Sequence, residues 1–321
     1  MGVDATVDQR IVAVVVAWNR RDLLAENLAG LAAQTRPPDA VVVIDNASTD
    51  DSAALAARHP VVTEVVSLPT NTGGAGGFAA GIARAIIAHG AEAVWIMDDD
   101  TVPTPTALEE LQRARVRYPG RVTLAASRAD WRDGRAHPMN LPRERLGTST
   151  LERRSARLVG GIPIRSASFV SILLDADAIR THGLPLADYF LWNDDFEYTA
   201  RLLREGVGLY VPASRVYHLT KVFGSSDADP GPRFTHEVRN KVWLFGRSGA
   251  LGALEWPLYV GATGRRWVRM VLRSKDRSAL LGYGRQGLRE AAAAPRTTTA
   301  VLAGTPVAPD VAAVEAGAGR G

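Results

Sequence analysis

The first hundred residues alternate between short runs of branched apolar residues and stretches with the spacing of an amphipathic helix. From Arg10 to Trp18 the chain contains the run IVAVVVAW, and from Asp22 to Gln34 leucines recur at helical intervals. The same alternation continues with predicted strands at 40–44, 61–68 and 93–97 and predicted helices at 52–58 and 77–89. Such alternation predicts a Rossmann-like α/β fold, with a mostly parallel sheet flanked by helices.

Composition excludes several kinds of site. The 321 residues include no cysteine. Disulfides, thiol nucleophiles and thiolate metal sites are therefore excluded, and any metal must bind oxygen or imidazole ligands. The length suits one large α/β domain plus an extension.

Nothing in the sequence indicates a membrane span or a secretory leader. Residues 1–10 are polar, and no run of about 18 uninterrupted apolar residues occurs. We therefore expect a cytoplasmic protein.

The later part of the chain changes character in steps. We predict a helix from Thr104, as N-cap, to about Tyr118, then a long surface loop at 130–157. Further predicted elements are strands at 159–164, 169–174 and 208–217 and a helix at 195–205. This organisation predicts an α/β domain at 1–240, a helical extension at 241–290 and a disordered tail at 291–321, where large apolar residues are scarce.

The helical extension carries a concentrated positive charge. Residues 263–289 contain eight basic residues and one acidic residue, although the whole chain has a net charge of only +4. Such a block suits an anionic lipid surface, a diphosphate or nucleic acid. A helix that packs on the main domain, or forms a homo-oligomer contact, is the alternative at similar odds.

Polar side chains follow three of the predicted strands. The polar groups are Trp18 and Asn19, then Asp45 and Asn46, and finally the triplet 98–100. In open α/β sheets, ligands bind beyond the carboxyl ends of the strands. These residues therefore predict the position of the functional site.

The triplet Asp98-Asp99-Asp100 has the chemistry of a metal site. In an extended chain Asp98 and Asp100 point the same way. Two convergent carboxylates suit Mg²⁺ or Mn²⁺, whereas a solvated acidic turn is the simpler alternative. His218 follows the last predicted strand and offers an imidazole ligand, although a lone histidine is more often structural.

The glycine-rich segment 71–77, NTGGAGG, lies between a predicted strand and a predicted helix. Its glycines allow a ligand to approach the backbone closely, as in phosphate binding. The pattern matches neither the Walker motif nor the dinucleotide fingerprint. A purely structural glycine turn is an equally good interpretation.

Asp194 and Asp195 begin a predicted helix, with Glu197 close behind. Asp194 and Glu197 have the spacing of a capping box, which is a structural interpretation. The functional interpretation is that one of these acids is a general base for an acceptor hydroxyl.

Together these motifs resemble the GT-A inverting glycosyltransferases of family 2. The segments that match are 14–19, VVVIDNASTD at 41–50, NTGGAGG, WIMDDD at 95–100, Asp195-Phe196-Glu197 and His218, and they span most of residues 10–240. The combination is most similar to the galactofuranosyltransferases that build the galactan of mycobacterial-type cell walls, and the length is similar to that of the initiating enzyme.

The resemblance implies a GT-A fold and a role for each matched residue. Residues 1–130 would form the nucleotide-sugar half and 131–240 the acceptor half. The implied donor contacts are Trp18, Asn19, Asp45, Asn46, Asn71, Gly73, Gly74, Asp98 and Asp99. The implied metal ligands, for Mn²⁺ or Mg²⁺, are Asp98, Asp100 and His218. Asp195 matches the base, but Asn193 stands where the family has a carboxylate, so Asp194 stays a second candidate.

The activity implied by the resemblance is inverting transfer of galactofuranose from UDP-galactofuranose to a polyprenyl-diphosphate-linked rhamnosyl glycan. The enzyme would contact the inner face of the plasma membrane peripherally. A rhamnosyl or other hexosyl transferase on the same scaffold is one alternative, and an inactive nucleotide or glycan binding protein is another. The acidic strand ends argue against nucleic acid as a partner.

Overall fold

The computed structural model describes residues 9–221, 223 and 230–318, and within them ten strands form one sheet. The prediction about the polar start thus falls largely on residues outside the described part. The strands are β1 (Ile11–Ala17), β2 (Ala40–Asp45), β3 (Glu64–Ser67), β4 (Ala93–Asp98), β5 (Thr101–Pro103), β6 (Leu124–Asp130), β7 (Arg143–Glu144), β8 (Ile162–Ser166), β9 (Ile172–Asp175) and β10 (Gly208–His218).

The sheet is mostly parallel, as predicted. Its order is β3-β2-β1-β4-β9-β6-β10-β8-β7, and β5 pairs with β10. Strands β5, β8 and β9 run opposite to the other seven. The interior strand β1 is buried along its whole length, which explains its uninterrupted run of apolar residues.

Twelve α-helices accompany the sheet in the described residues. They are α1 (Arg21–Ala32), α2 (Ser52–Arg58), α3 (Gly73–Ile87), α4 (Ala107–Arg117), α5 (Thr150–Leu158), α6 (Ala176–His182), α7 (Asp194–Leu202), α8 (Phe234–Arg247), α9 (Glu255–Arg273), α10 (Arg277–Glu290), α11 (Thr298–Val301) and α12 (Ala308–Gly317). Helices α1 and α4 cover one face of the sheet, and α3, α6 and α12 cover the other.

Helix α3 begins at Gly73, four residues before its predicted start. It lies unusually close to the sheet: a Cβ added at Gly81 would be 2.2 Å from Val14 Cγ1. The glycine-rich segment is therefore mostly the first turns of a packed helix rather than a free loop. Glycine lowers helix propensity, and tertiary contacts offset that cost here.

Two predictions between residues 104 and 157 were wrong. Helix α4 begins at Ala107 because Thr104 is used elsewhere: its hydroxyl donates to the carbonyl of Arg215 at 2.8 Å. The predicted loop at 130–157 contains β7 and α5. The Ser149 side chain caps α5 by accepting from the N–H of Glu152 at 3.1 Å.

The predicted disordered tail is also corrected. Residues 298–301 and 308–317 form α11 and α12, which pack against α3 and the loop after α6. The apolar side chains Leu302, Val307, Val311 and Val314 are buried there. These four buried side chains are enough to hold the segment in place, because the surrounding alanines allow close approach to α3. The low average hydrophobicity of the segment therefore led to a wrong prediction of disorder.

The basic segment forms the predicted helical extension, α8 to α10. The predicted boundary at residue 240 falls inside α8, whose buried face packs against the α/β domain. Among the described residues, every helix is too short or too polar to span a bilayer.

Candidate active site

The carboxyl ends of β1 and β2 carry the first predicted site residues. Trp18 is half exposed, whereas Asp45 is buried at the end of β2. Asn19 Oδ1 accepts from the N–H of Thr49 at 2.7 Å, and Asp45 Oδ1 accepts from the N–H of Ser48 at 3.2 Å. Asn19 and Asp45 therefore brace the turn after β2 and leave the Trp18 ring available to a ligand.

Asn46 holds the start of α3. Its side chain is buried, its Oδ1 accepts from the N–H of Thr72 at 2.8 Å, and its Nδ2 donates to the carbonyl of Gly73 at 2.8 Å. Asn71 Oδ1 accepts from the N–H of Gly73, also at 2.8 Å. The Asn46 amide thus supports the start of α3, and the contact with uridine that the resemblance implied stays a prediction.

Gly73 and Gly74 place the first turn of α3 against the segment that precedes α7. Gly73 has φ +71°, and a Cβ there would lie 2.0 Å from the carbonyl oxygen of Phe190. A Cβ at Gly74 would meet only Asp194 Oδ2, at 3.8 Å. The helix N-terminus, which favours negative charge, therefore opens towards the Asp194 carboxylate.

The three aspartates after β4 share one arginine. Asp99 Oδ2 accepts from the N–H of Trp18 at 3.0 Å, while Arg20 Nη1 donates to Asp99 Oδ1 at 3.1 Å and to Asp100 Oδ2 at 2.6 Å. Burial raises the pKa of Asp99 to about 6, and burial together with Asp100 and Asp99 raises the pKa of Asp98 well above its ordinary value. One guanidinium does not neutralise this cluster, so the aspartates still lack positive charge.

Strand pairing brings His218 to these aspartates. The end of β10 pairs with β5, so His218 lies opposite Thr101, and the N–H of Leu219 donates to the carbonyl of Asp100 at 2.8 Å. One ligand atom each from Asp98, Asp100 and His218 lies within 4.8 Å of the others. The residues predicted as metal ligands are thus adjacent, although His218 is far from them in sequence.

The hydrogen bonds around His218 fit a bound cation. Asn140 Nδ2 donates to Ser168 Oγ at 3.1 Å, so its Oδ1 faces His218 Nδ1, 2.8 Å away, and accepts from it. His218 Nε2 then points at Asp100 Oδ1, 3.2 Å away, and that oxygen has no hydrogen bond among the described residues. Either a proton or a metal cation must lie between them, and an Asp₂His set suits Mn²⁺ or Mg²⁺.

The structure does not contain the predicted capping box. Asn193, not Asp194, is the N-cap of α7, and no side chain caps this helix. Glu197 instead accepts from Arg201 Nε at 2.9 Å and from Ser248 Oγ at 2.8 Å. The carboxylates of Asp194 and Asp195 therefore do not cap α7.

The segment before Asp194 has an unusual backbone. Phe190, Trp192 and Asn193 have φ values of +63°, +68° and +64°. Such conformations cost a non-glycine residue roughly 1–3 kcal/mol each, so the surroundings must hold them in place. Strain of this kind directly before two partly exposed acids is typical of functional sites.

Asn240 of α8 holds this segment, and sequence reasoning missed it. Its fully buried amide nitrogen lies 2.9, 3.0 and 2.7 Å from the carbonyl oxygens of Tyr189, Leu191 and Trp192 and donates to them. Asn193 Nδ2 also donates to Glu237 Oε2 at 2.8 Å. The available signal was weak: asparagine is a poor helix former, so one in a helix interior often has a tertiary role.

A cleft of about 570 Å³ lies in front of Asp194 and Asp195. The charged and polar residues along it are Asn140, Arg143, Ser166, Ser168, Asn193, Asp194, Asp195, Glu237, Lys241 and Arg266. Asn140 connects the two groups of predicted residues, because it lines this cleft and binds His218. Asn140 thus links the cleft that the acids of α7 line to the aspartate-histidine cluster.

The two acids of α7 differ in their electrostatic surroundings. Burial, and then the charge of Asp195, raises the pKa of Asp194 to about 8. Burial also raises the pKa of Asp195, but the N–H of Phe196 and the charges of Lys241 and Arg143 oppose that rise. Asp194 therefore keeps the proton at neutral pH, and Asp195 is the acid that its surroundings favour as a carboxylate.

Comparison with known proteins places this site in a family. The model of "Glycosyl transferase family 2" matches residues 12–178. "Galactofuranosyltransferase GlfT1" of Mycobacterium tuberculosis is 30% identical over 268 residues, which cover 77% of this chain and 86% of that protein. The GlfT1 of Mycolicibacterium smegmatis is 33% identical over 202 residues, or 61% of this chain and 66% of that protein.

Solved structures share the fold at low identity. S. aureus TarS 1-349 in complex with UDP-GlcNAc has a TM-score of 0.61 and 14% identity, covering 96% of this chain and 88% of that one. The mannosyltransferase PcManGT of Pyrobaculum calidifontis, in complex with GDP-Man and Mn²⁺, has a TM-score of 0.54 and 18% identity, covering 96% and 86%. From the matched sequence model, the curated relatives and the shared fold, this chain belongs to glycosyl transferase family 2.

Proposed function

We propose that this protein transfers galactofuranose from UDP-galactofuranose, with inversion, to a polyprenyl-diphosphate-linked rhamnosyl glycan at the start of cell-wall galactan synthesis. The observation that carries the proposal is the cluster of Asp98, Asp100 and His218, which Asn140 links to the cleft that Asp195 lines. The similarity to GlfT1 supports the choice of sugar and acceptor.

On the donor side, the exposed ring of Trp18 stacks on the uracil, and the backbone of the turn after β2 borders the ribose. The diphosphate lies between the aspartate cluster and the first turn of α3, where Gly74 leaves space. Asp98, Asp100 and His218 would hold a divalent cation, Mn²⁺ or Mg²⁺, which would supply positive charge to the leaving diphosphate. Arg20 holds Asp99 and Asp100 in position.

On the acceptor side, Asp195 removes the proton of the attacking hydroxyl. That oxygen forms a bond to the anomeric carbon as the bond from this carbon to the diphosphate oxygen breaks. The electron pair of the broken bond leaves with UDP, and the proton stays on the Asp195 carboxylate. Attack from the side opposite the leaving group inverts the configuration.

A donor panel tests the proposal. We expect the protein with Mn²⁺ or Mg²⁺ and a rhamnosyl acceptor to release UDP from UDP-galactofuranose, and to release little nucleotide from UDP-galactopyranose, UDP-GlcNAc or dTDP-rhamnose. The Asp195→Ala variant, which lacks the proposed base, is the control that measures nucleotide release without catalysis. Turnover of dTDP-rhamnose in place of UDP-galactofuranose would replace the proposed donor, and inactivity with every donor would indicate a binding protein.

We also propose that the outer face of α9 contacts an anionic membrane surface. Leu258, Val268 and Leu272 are exposed there, and Arg265 and Arg269 lie on the same side of the helix. Exposed apolar residues interleaved with arginines are typical of helices that lie in the interface of a membrane. Each basic residue near an anionic surface contributes about 1 kcal/mol to binding.

Liposome flotation tests this contact. We expect the protein to float with vesicles that contain anionic lipid and to stay at the bottom with purely zwitterionic vesicles. The double variant Val268→Glu, Leu272→Glu should lose flotation, because it removes apolar contacts and adds negative charge. Equal flotation of both proteins would refute the contact through α9.

A further inference from the structure

Lys241 is a buried cation without a bound anion. Only 7% of this residue is exposed, and its Nζ makes no hydrogen bond or ion pair with any described residue. Its nearest features are the rings of Phe196 and Phe245, whose centroids lie 4.7 and 5.8 Å from Nζ. Since a buried charge without a partner is unfavourable, burial lowers the pKa of Lys241 to about 8.

Arg143, whose side chain is exposed, provides a second cation in the same cleft. Its guanidinium carbon lies 5.5 Å from the ring centroid of Phe196 and 5.6 Å from that of Tyr259. Within the described part of the chain its side chain has aromatic contacts but no carboxylate partner. Phe196 therefore contacts both cations, and the donors of both are available to a ligand.

The carboxylates that line the cleft make their hydrogen bonds to residues other than Lys241 and Arg143. Glu237 accepts hydrogen bonds from Arg266, Trp267 and Asn193, so its oxygens make no direct hydrogen bond to Lys241 or Arg143. Asp195 accepts from the N–H of Phe196 at 2.6 Å and makes no ion pair among the described residues. The cleft thus contains two cations that form no ion pair with any described residue, although the more distant charges of Glu237 and Asp195 still act on Lys241.

We propose that Lys241 and Arg143 form an anion subsite that binds the diphosphate of a lipid-linked acceptor. A compact ammonium and a planar guanidinium together match the several oxygens of a diphosphate. The assignment to the acceptor rests on the proposed function, because the subsite lies on the Asp195 side of the site, away from the aspartate cluster. Arg266 and Met270 of α9 line the same cleft, so the lipid portion can leave along α9.

Direct binding tests the subsite without any turnover. We expect calorimetry with methylenediphosphonate to show binding to the full-length protein, and Lys241→Met to weaken it at least tenfold. Arg143→Gln, which alters an exposed side chain and spares the core, should weaken it in the same direction. Arg113→Gln on α4 is the matched control that removes one positive charge elsewhere. Undiminished binding in both cleft variants would overturn the proposal.

A comparison of two acceptor substrates then tests whether the subsite binds the diphosphate of the acceptor or that of the donor. The glycan is supplied either on a prenyl diphosphate or on a neutral octyl group, and kcat/KM is measured for each. We expect Lys241→Met to lower the ratio of the two values at least tenfold, with KM for the donor unchanged. An unchanged ratio, or a raised donor KM alone, would contradict the assignment. If the protein transfers no galactofuranose, the calorimetry still tests the subsite.

Discussion

Replacement of Asp195 by alanine is expected to lower kcat by about 10²–10⁴-fold, the usual contribution of a general base. The acceptor hydroxyl would then lose its proton acceptor at the moment the new bond forms. UDP affinity should stay within about twofold, because the carboxylate of a base touches the acceptor and not the nucleotide. Steady-state transfer and calorimetric UDP titration measure the two effects separately.

The comparison variant for this prediction is Asp194→Asn. Because the pKa of Asp194 is raised to about 8, this residue is neutral at neutral pH, and asparagine has nearly the same shape and charge. We expect the variant to retain activity within about tenfold of the wild type, since proton removal is left to Asp195. If Asp194→Asn is inactive and Asp195→Ala is active, the roles of the two acids are reversed.

The pH dependence follows the same assignment. Burial raises the pKa of Asp195, so its carboxylate takes up a proton at a higher pH than an exposed aspartate does. The protonated form cannot accept the hydroxyl proton. The acidic limb of the wild-type kcat profile should therefore lie above the ordinary aspartate range, and Asp195→Ala should lose that limb.

Replacement of Asp98 by alanine is expected to lower kcat/KM by roughly 10³-fold or more and to weaken UDP binding as well. A metal ion stabilises negative charge in the transition state by several kcal/mol, each 1.36 kcal/mol is a factor of ten, and loss of a ligand weakens the hold on that ion. The change removes one of the three ligand atoms that lie within 4.8 Å of one another. Binding of UDP is measured with and without Mn²⁺.

Asn140→Ala provides a graded control for the metal site. Asn140 orients His218 through a 2.8 Å hydrogen bond and is not itself one of the three metal ligands. Loss of such a supporting contact usually lowers metal affinity about 10–100-fold, so excess Mn²⁺ should restore most activity in this variant and not in Asp98→Ala. Full activity of the wild type in a strong chelator would refute the metal-dependent mechanism.

The elements predicted correctly are those whose local pattern and tertiary environment agree. Strands β1, β2 and β4 are continuous apolar runs because both faces of the sheet are covered. Helix α5 and the tail were missed because their signals are weak locally: α5 is mostly polar, and α12 is rich in alanine. Contacts with distant strands and with α3 stabilise them, and no local window contains those contacts.

The candidate site shows the same division. The triplet after β4 could be interpreted locally, because a carboxylate run at a strand end has few other uses. The role of Asn46 could not be predicted locally, because the hydrogen bonds of its side-chain amide depend on where α3 begins. The role of Asn240 could not be predicted from its sequence neighbours, because its side chain donates to carbonyls about fifty residues away.

By itself the sequence determined the α/β class, the family and the acidic residues at the strand ends, since these depend on side-chain periodicity and on short motifs. Only the tertiary structure brought His218 beside Asp100, held the positive-φ segment before Asp194, and buried Lys241 without an ion pair to any described residue. Those features depend on distances between residues far apart in the chain, which are set by how the sheet and α8 pack together.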